Sequence, residues 1–261
     1  MNLSLEGRHA VICGSTQGIG YAIAEELAIM GATCTLVARN ESTLKNNIQR
    51  LDNTLQQIHQ YAVANFSDTE EVRDAIHEIV KKKPVHILIN NTGGPPAGPI
   101  VDAKEEDFLQ AFNQHLVCNH ILAKAVIPCM QAAGYGRIIN VISTSVKIPL
   151  TNLGVSNTTR GAVAAWAKTM ANELGHLNIT VNNVLPGYTE TSRLTSLIAT
   201  LAERGNADEE KVRSEMVRTV PAKRFGTAAE IAAVAAFLAS PAASYVNGVS
   251  IPVDGGRTGS I

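Results

Sequence analysis

The chain reads as an α/β protein, a single domain over residues 1–261 built as one doubly wound parallel sheet with helices on both faces. Two patterns predict this. Short apolar runs of strand length alternate with longer stretches whose apolar residues recur at helical spacing, the signature of repeated strand-helix-strand crossovers. The first such run stops at a glycine-rich turn, G-S-T-Q-G-I-G from Gly14 to Gly20, that opens directly into a helix. Length agrees, because 261 residues with 45% hydrophobic content can bury one large core without being split.

Arg8 to Cys13 is the first strand, and Ile23, Leu27 and Met30 space the helix that follows up to Gly31. Thr33 to Ala38 is the second strand. Glu41 to about Gln57 reads as a polar-faced helix carrying Leu44, Ile48, Leu51 and Leu55. Tyr61 to Ala64 is a third strand that leaves through Asn65 to Asp68, with Ser67 or Asp68 placed to cap the helix through Val72, Ile76 and Ile79. His86 to Ile89 is the fourth strand. From Glu105 one long helix runs to Met130, with His115 on the face of Phe108, Phe112 and Val126. Gly136 to Ile142 is the fifth strand, Ser156 to about Leu177 a helix, and Asn178 to Leu185 the sixth strand. The polar segment 192–220 has the composition of a mobile lid of two short helices. An alanine-rich helix from Thr227 to Ser240 and a strand from Val249 to Val253 complete the pattern.

Composition removes several function classes. A formal charge of -1 argues against a broad phosphate-backbone binder, and Lys81 to Lys83 closes a helix, where cations complement the dipole. Cys13, Cys34, Cys118 and Cys129 are scattered with no C-x-x-C pair, which suits reduced thiols rather than a disulfide framework or a metal site. No apolar run is long enough to span a membrane and Met1 to Arg8 lacks signal-peptide features, so the expected address is the cytoplasm.

The turn at Gly14 has the chemistry of a phosphate cradle. Its glycines let the backbone bend and approach a pyrophosphate, and the free N–H groups at the helix start attract negative charge. At the tip of the second strand a dinucleotide fold meets the adenosine ribose, where an acid would bind the 2′-hydroxyl; here Ala38 is followed by Arg39, which favours NADP(H) over NAD(H). Asn65 is placed to meet the adenine. The run N-N-T-G-G-P-P-A-G-P from Asn90 ends a buried strand with residues suited to a ligand site.

Six motifs in order now carry a resemblance to the short-chain dehydrogenase/reductase family, over nearly the whole chain. They are G-S-T-Q-G-I-G at Gly14, N-N-T-G at Asn90, G-R-I-I-N-V-I-S ending at Ser143, N-I-T-V-N-N-V-L-P-G ending at Gly187, R-F-G-T at Arg224, and V-N-G-V-S-I-P-V-D-G-G ending at Gly256. The likeness is strongest to the branch that includes 3-oxoacyl-(acyl-carrier-protein) reductases. It implies a Rossmann-type fold, an NAD(P) cofactor, hydride transfer between nicotinamide and a carbonyl or alcohol, and a homotetramer that uses the long helices and the last strand. It also implies that Gly14, Ser15, Gly18, Ile19 and Gly20 hold the pyrophosphate and Asn90 abuts the adenosine ribose. Gly187, Thr189 and Thr191 would hold the nicotinamide end.

The family's catalytic group is an Asn, a Ser, a Tyr and a Lys. Aligned on A-K-T-M-A-N-E-L, the Ser is Ser143, but the Tyr position holds Ser156, the Lys position Arg160 and the Asn position His115; no Y-x-x-x-K exists in the chain. A serine is a far weaker acid than a lysine-assisted tyrosine, and loss of a general acid costs on the order of 10²–10⁴ in rate. Two expectations follow. In one, the chain is an oxidoreductase of small carbonyl or alcohol substrates in which His115, or failing that Tyr188, supplies the proton while Ser143 holds the substrate oxygen and Arg160 grips the nicotinamide ribose or an anionic substrate. In the other, it is a catalytically silent dinucleotide-binding protein of the same fold.

Overall fold

A computed structural model describes residues 1–260. β1 (His9–Cys13), β2 (Thr33–Ala38), β3 (Gln60–Val63), β4 (Ile87–Asn90), β5 (Gly136–Val141), β6 (Ile179–Pro186) and β7 (Ser250–Val253) form one parallel sheet in the order β3-β2-β1-β4-β5-β6-β7. The connecting helices are α1 (Gly18–Ile29), α2 (Glu41–Ile48), α3 (Thr69–Lys82), α4 (Glu105–Phe112), α5 (Cys118–Ala132), α6 (Gly154–Leu174), α7 (Ser192–Gly205), α8 (Glu209–Arg218) and α9 (Ala228–Ala239). This is the doubly wound arrangement the alternation of runs requires.

Every residue of β1, β4 and β5 is buried, because helices cover both faces of the sheet. Alternate residues serve opposite layers. Ala10 and Ile12 pack with Ile23 and Leu27 of α1 and with Ile231 and Ala235 of α9. Val11 joins Ile76 of α3, Leu122 and Val126 of α5, and Ala167 of α6. Each large aliphatic side chain so buried contributes roughly 1.5–3 kcal/mol, which fixes the register of every strand tip above it.

Those tips are what the fold offers to function. The chain passes from β1 outward to β2 and β3, then returns to place β4 on the other side of β1, so the crevice opens between the carboxyl ends of β1 and β4. Asn90, Asn140 and Asn183 stand in register there. Asn90 Nδ2 donates to Asn140 Oδ1 at 2.8 Å, Asn140 Nδ2 to Asn183 Oδ1 at 2.9 Å, and Asn183 Nδ2 to Ser250 Oγ at 3.0 Å. The amide ladder ties four strands together just below the crevice.

Two helices differ from the periodicity. The run expected to reach Gln57 stops at Ile48, and Leu55 is 52% exposed although Leu51 is buried. Asp52 accepts from both the N–H and the hydroxyl of Thr54, an Asx turn that competes with helix, and Gln56 follows in the left-handed region at φ 61°. The helix expected as one piece from Glu105 is broken by a π turn over Asn113–Val117, closed by Cys118 N–H to the Asn113 carbonyl. His115 lies within this turn and is buried at 1% exposure. Elsewhere the caps follow the sequence: Asp68 accepts from the N–H of Glu70 and Glu71 at the start of α3.

Candidate active site

A cavity of about 650 Å³ lies over the β1/β4 crevice and runs from the tip of β2 to the start of α6. One wall is the glycine turn. Gly14 has φ +61°, and a Cβ there would stand 2.3 Å from the Asn91 carbonyl oxygen. Gly20 is as restricted by contact: its Cβ would meet the Gly14 carbonyl oxygen at 2.3 Å. Only hydrogen fits at either position, so the close approach of turn, helix and β4 loop depends on both. Gln17 caps α1 with no side-chain bond, its amide donating instead to Ser192 Oγ at 3.1 Å. The first-turn N–H groups of α1, with no acid among those residues, are thus left for an anion.

At the far end Arg39, Asn40, Asn65, Phe66 and Ser67 line the cavity. Arg39 is exposed and has no carboxylate partner among the described residues. Three residues expected to touch the cofactor stand differently. Ser15 is fully buried, with its Oγ accepting from Val37 N–H, so its side chain locks the turn to β2. Gly20 works through packing and does not line the cavity. Asn90 is 2% exposed and its side chain belongs to the amide ladder, which leaves only its main chain near the crevice. Asn91, the next residue, does line the cavity and donates to the Gly14 carbonyl at 3.2 Å. Gly14, Gly18, Ile19, Gly187, Thr189 and Thr191 all line it.

Ser143, Ser156 and Arg160 meet at the other end. Ser143 Oγ accepts from Ser145 N–H at 3.1 Å, which leaves its own proton for a ligand. Arg160 is 7% exposed; its guanidinium donates to the Val141 carbonyl at 3.3 Å and the Thr92 carbonyl at 3.4 Å. Burial, aided by the like charge of Arg193, pushes its pKa down to about 10.

His115 stands outside this group. It does not line the cavity; it lies behind the wall, with Nδ1 bonded to Thr92 Oγ1 and Nε2 without a protein partner. Desolvation first, then the cations Arg160 and Arg193, take its pKa down to about 3. That shift favours the uncharged imidazole at neutral pH and weighs against the acid role the sequence suggested. Tyr188 is in the cavity wall and its hydroxyl accepts from Arg257 at 3.0 Å. Among the described residues no group of three His, Cys, Asp or Glu could hold a metal.

The chain matches the family model described as enoyl-(acyl carrier protein) reductase over residues 14–258. A 3-oxoacyl-(acyl-carrier-protein) reductase of Vibrio cholerae is 33% identical over 257 residues, covering 97% of this chain and 98% of that protein. The chain belongs to the short-chain dehydrogenase/reductase family. Two solved structures sharpen the comparison. L-sorbose reductase from Gluconobacter frateurii, complexed with NADPH and L-sorbose, superposes with a TM-score of 0.93 at 31% identity and full coverage of both chains (100% each). A gluconate 5-dehydrogenase from Burkholderia cenocepacia, in complex with NADP and tartrate, gives 0.88 at 30% identity, covering 100% of this chain and 98% of that one.

Within this short-chain dehydrogenase/reductase site, two arginines escaped sequence reasoning. Arg193, at the start of α7, donates to the carbonyls of Gly94 at 3.1 Å and Pro95 at 3.3 Å. Arg257, after β7, lies over the Tyr188 ring at 4.2 Å. Arg193 was hidden in a segment read only by composition, and Arg257 lay past the last recognised motif. A search for cations around the P-G-Y-T-E-T turn and the D-G-G-R end would have found both.

Proposed function

We propose that the chain is an NADP(H)-dependent oxidoreductase that interconverts a carbonyl and an alcohol on a small substrate, with charge replacing the missing general acid. The observation that carries this reading is the single cavity that joins the glycine turn, Arg39 and the group Ser143, Ser156 and Arg160. The likeness to reductases complexed with NADPH or NADP supports the cofactor.

The residues fit that group. The backbone around Gly14, Gly18 and Ile19 and the start of α1 would take the pyrophosphate, since a side chain at Gly14 would close the turn. Arg39 would pair with a 2′-phosphate, for which guanidinium is the matched partner. Asn65 would meet the adenine and the main chain at Asn90 the ribose, while Gly187, Thr189 and Thr191 would hold the carboxamide end. The cofactor supplies the hydride when bound.

Ser143 and Ser156 would donate hydrogen bonds to the substrate oxygen. The buried Arg160 cation would stabilise negative charge developing on that oxygen, an interaction strengthened where water is excluded. The proton that completes the alcohol would come from solvent through Ser156, and His115 would act as a positioning residue that holds Thr92, itself the carbonyl partner of Arg160. The pH profile of kcat/KM should accordingly be flat between about pH 5 and 8, with no histidine inflection near ~6.5; an inflection lost in His115→Ala would return the acid role to that residue.

The segment 192–220 would serve as a lid, supported by its own small core of Leu194, Ile198, Met216 and Phe225 and by the Arg193 contacts to the β4 loop. A homotetramer would use the helical stretch from Glu105, where Leu109 is 67% exposed, together with α6 and β7; a solution mass of one chain would remove that part of the reading. No helix among the described residues is long and apolar enough to cross a membrane. The test of the activity is NADPH fluorescence titration followed by NADPH consumption against a panel of carbonyl compounds. Tight NADPH binding without consumption above the enzyme-free rate would make the chain a silent dinucleotide-binding protein instead.

A further inference from the structure

The charge of the cavity wall is one-sided. Arg39, Arg160, Arg193 and Arg257 line it, and no aspartate or glutamate does among the described residues. None of the four belongs to an ion pair among those residues. A dinucleotide would use Arg39 and the α1 terminus, and Arg160 stands where the family keeps one cation. Arg193 and Arg257 remain, the first beside Arg160 at Gly94 and the second against Tyr188 in the same wall.

Their geometry is that of a receptor awaiting an anion. Arg193 and Arg160 converge on Gly94: a Cβ there would stand 2.8 Å from Arg193 Nη2 and 3.4 Å from Arg160 Nη2. Both guanidinium groups are held by main-chain carbonyls alone, which fixes their direction and leaves their charge unopposed. The same crowding is felt in their titration, each driven down by burial and Arg160 further by its neighbour. Arg257 is braced by the face and the hydroxyl of Tyr188. Planar guanidinium forks match the oxygens of a carboxylate, and a cleft of one sign draws anions from solution.

We propose that the substrate carries an anionic oxygen group, a carboxylate, bound by Arg193 and Arg257 beside Arg160, so that the protein acts on oxo or hydroxy acids. This rests on the oxidoreductase reading for turnover, but the binding site stands apart from it. Orientation is the gain: an acid group clamped at one end fixes which face of the carbonyl meets the nicotinamide.

The experiment uses the full-length protein saturated with NADPH and three matched probes: 2-oxo and 3-oxo carboxylates, their methyl esters, and phosphorylated ketones such as dihydroxyacetone phosphate. The proposal expects kcat/KM for the carboxylates at least tenfold above the esters, with the phosphorylated ketones no better than the carboxylates. Arg193→Gln should raise KM for the carboxylate tenfold or more and leave the NADPH Kd within twofold, while Arg193→Lys recovers part of the loss. Equal rates on acids and esters would overturn the proposal, as would a preference for the phosphorylated ketones. A variant that weakens NADPH instead of the acid would overturn it too, by assigning Arg193 to the cofactor. If nothing is turned over, the same acids are titrated against the NADP⁺ complex by thermal shift. Stabilisation by the acids, absent with the esters and lost in Arg193→Gln, then sustains the anion site while the activity fails; no stabilisation ends it.

Discussion

Replacing Arg160 by methionine should make the ligand-free protein more stable and the enzyme less active. The guanidinium is buried with no carboxylate, and its pKa falls from the ordinary arginine range to about 10, by about two units or more. At 1.36 kcal/mol per unit, that corresponds to about 3 kcal/mol of folding free energy lost by keeping the charge inside at neutral pH. Methionine removes the charge but also two hydrogen bonds, at 3.3 Å to Val141 and 3.4 Å to Thr92. Each freed carbonyl costs roughly 1 kcal/mol, and less where cavity water can reach it. The balance favours the variant by about 1–3 kcal/mol, in line with apolar replacement of buried ions in general. For a chain of this size each kcal/mol moves Tm by roughly 2–4 °C. The assay is differential scanning calorimetry of wild type and Arg160→Met without ligands, then with saturating NADP⁺ and a carboxylate. The variant should melt several degrees higher alone and see that advantage shrink with ligands, because wild type, with Arg160 beside Arg193 and Arg257, gains more from the anion. A lower Tm for the ligand-free variant would refute the reasoning, since it would mean that Arg160 is a net stabiliser and not a charge held in readiness.

Other consequences are smaller in scope. Arg39→Asp should weaken NADPH at least tenfold while leaving NADH unchanged or tighter, by fluorescence titration; parallel loss for both would detach Arg39 from the 2′-phosphate. Gly20→Ala places a Cβ 2.3 Å from the Gly14 carbonyl oxygen, so the turn must open, at about 1–3 kcal/mol, and NADPH affinity should fall with it; wild-type stability and affinity in that variant would show that the turn can yield. His9 is 1% exposed, with Nδ1 against the Pro84 carbonyl at 3.0 Å and Nε2 against the Thr35 hydroxyl at 2.8 Å. Burial takes its pKa from 6.5 to about 4, so the folded state binds fewer protons than the unfolded chain in that window. Stability present above pH 6.5 is therefore lost as pH falls toward 4, by about 3 kcal/mol in total from this residue. Urea unfolding should show a shallower pH slope in His9→Asn than in wild type; equal slopes would place the acid sensitivity elsewhere.

Much of this was legible in the residues because the fold is written locally. Gly14 and Gly20 stand where no side chain fits, and alternating apolar runs dictated buried parallel strands. What escaped was set by contact between distant segments. Nothing in N-Q-H-L-V announces a π turn, nor that the buried His115 within it bonds to Thr92, 23 residues earlier, and does not line the cavity. Asn90 sits at the expected strand end, but Asn140, 50 residues later, captures its side chain. Arg193 and Arg257 belong to one site only because α7 and the end of β7 return to the same rim. Charge clusters of this kind have no sequence period to betray them.

The substitutions that looked like losses and the cations that were overlooked bear on the same problem. A tyrosine-lysine pair manages the alkoxide by giving it a proton, which requires an acid whose pKa sits near the working pH. Ser156 cannot do that, His115 is held neutral, and Arg160 never releases its proton in the working range. On the proposed reading, what the site would keep is electrostatic stabilisation from the buried Arg160, the term that often outweighs proton transfer in such chemistry. A buried cation is costly to keep unless a ligand's charge offsets it, and the wall holds one at Arg160 with two more at its edge and no acid among the described residues to neutralise them. The retention of Arg160 inside the wall, with no carboxylate to pair it, is the physical argument for an electron-rich ligand group at this end of the cavity.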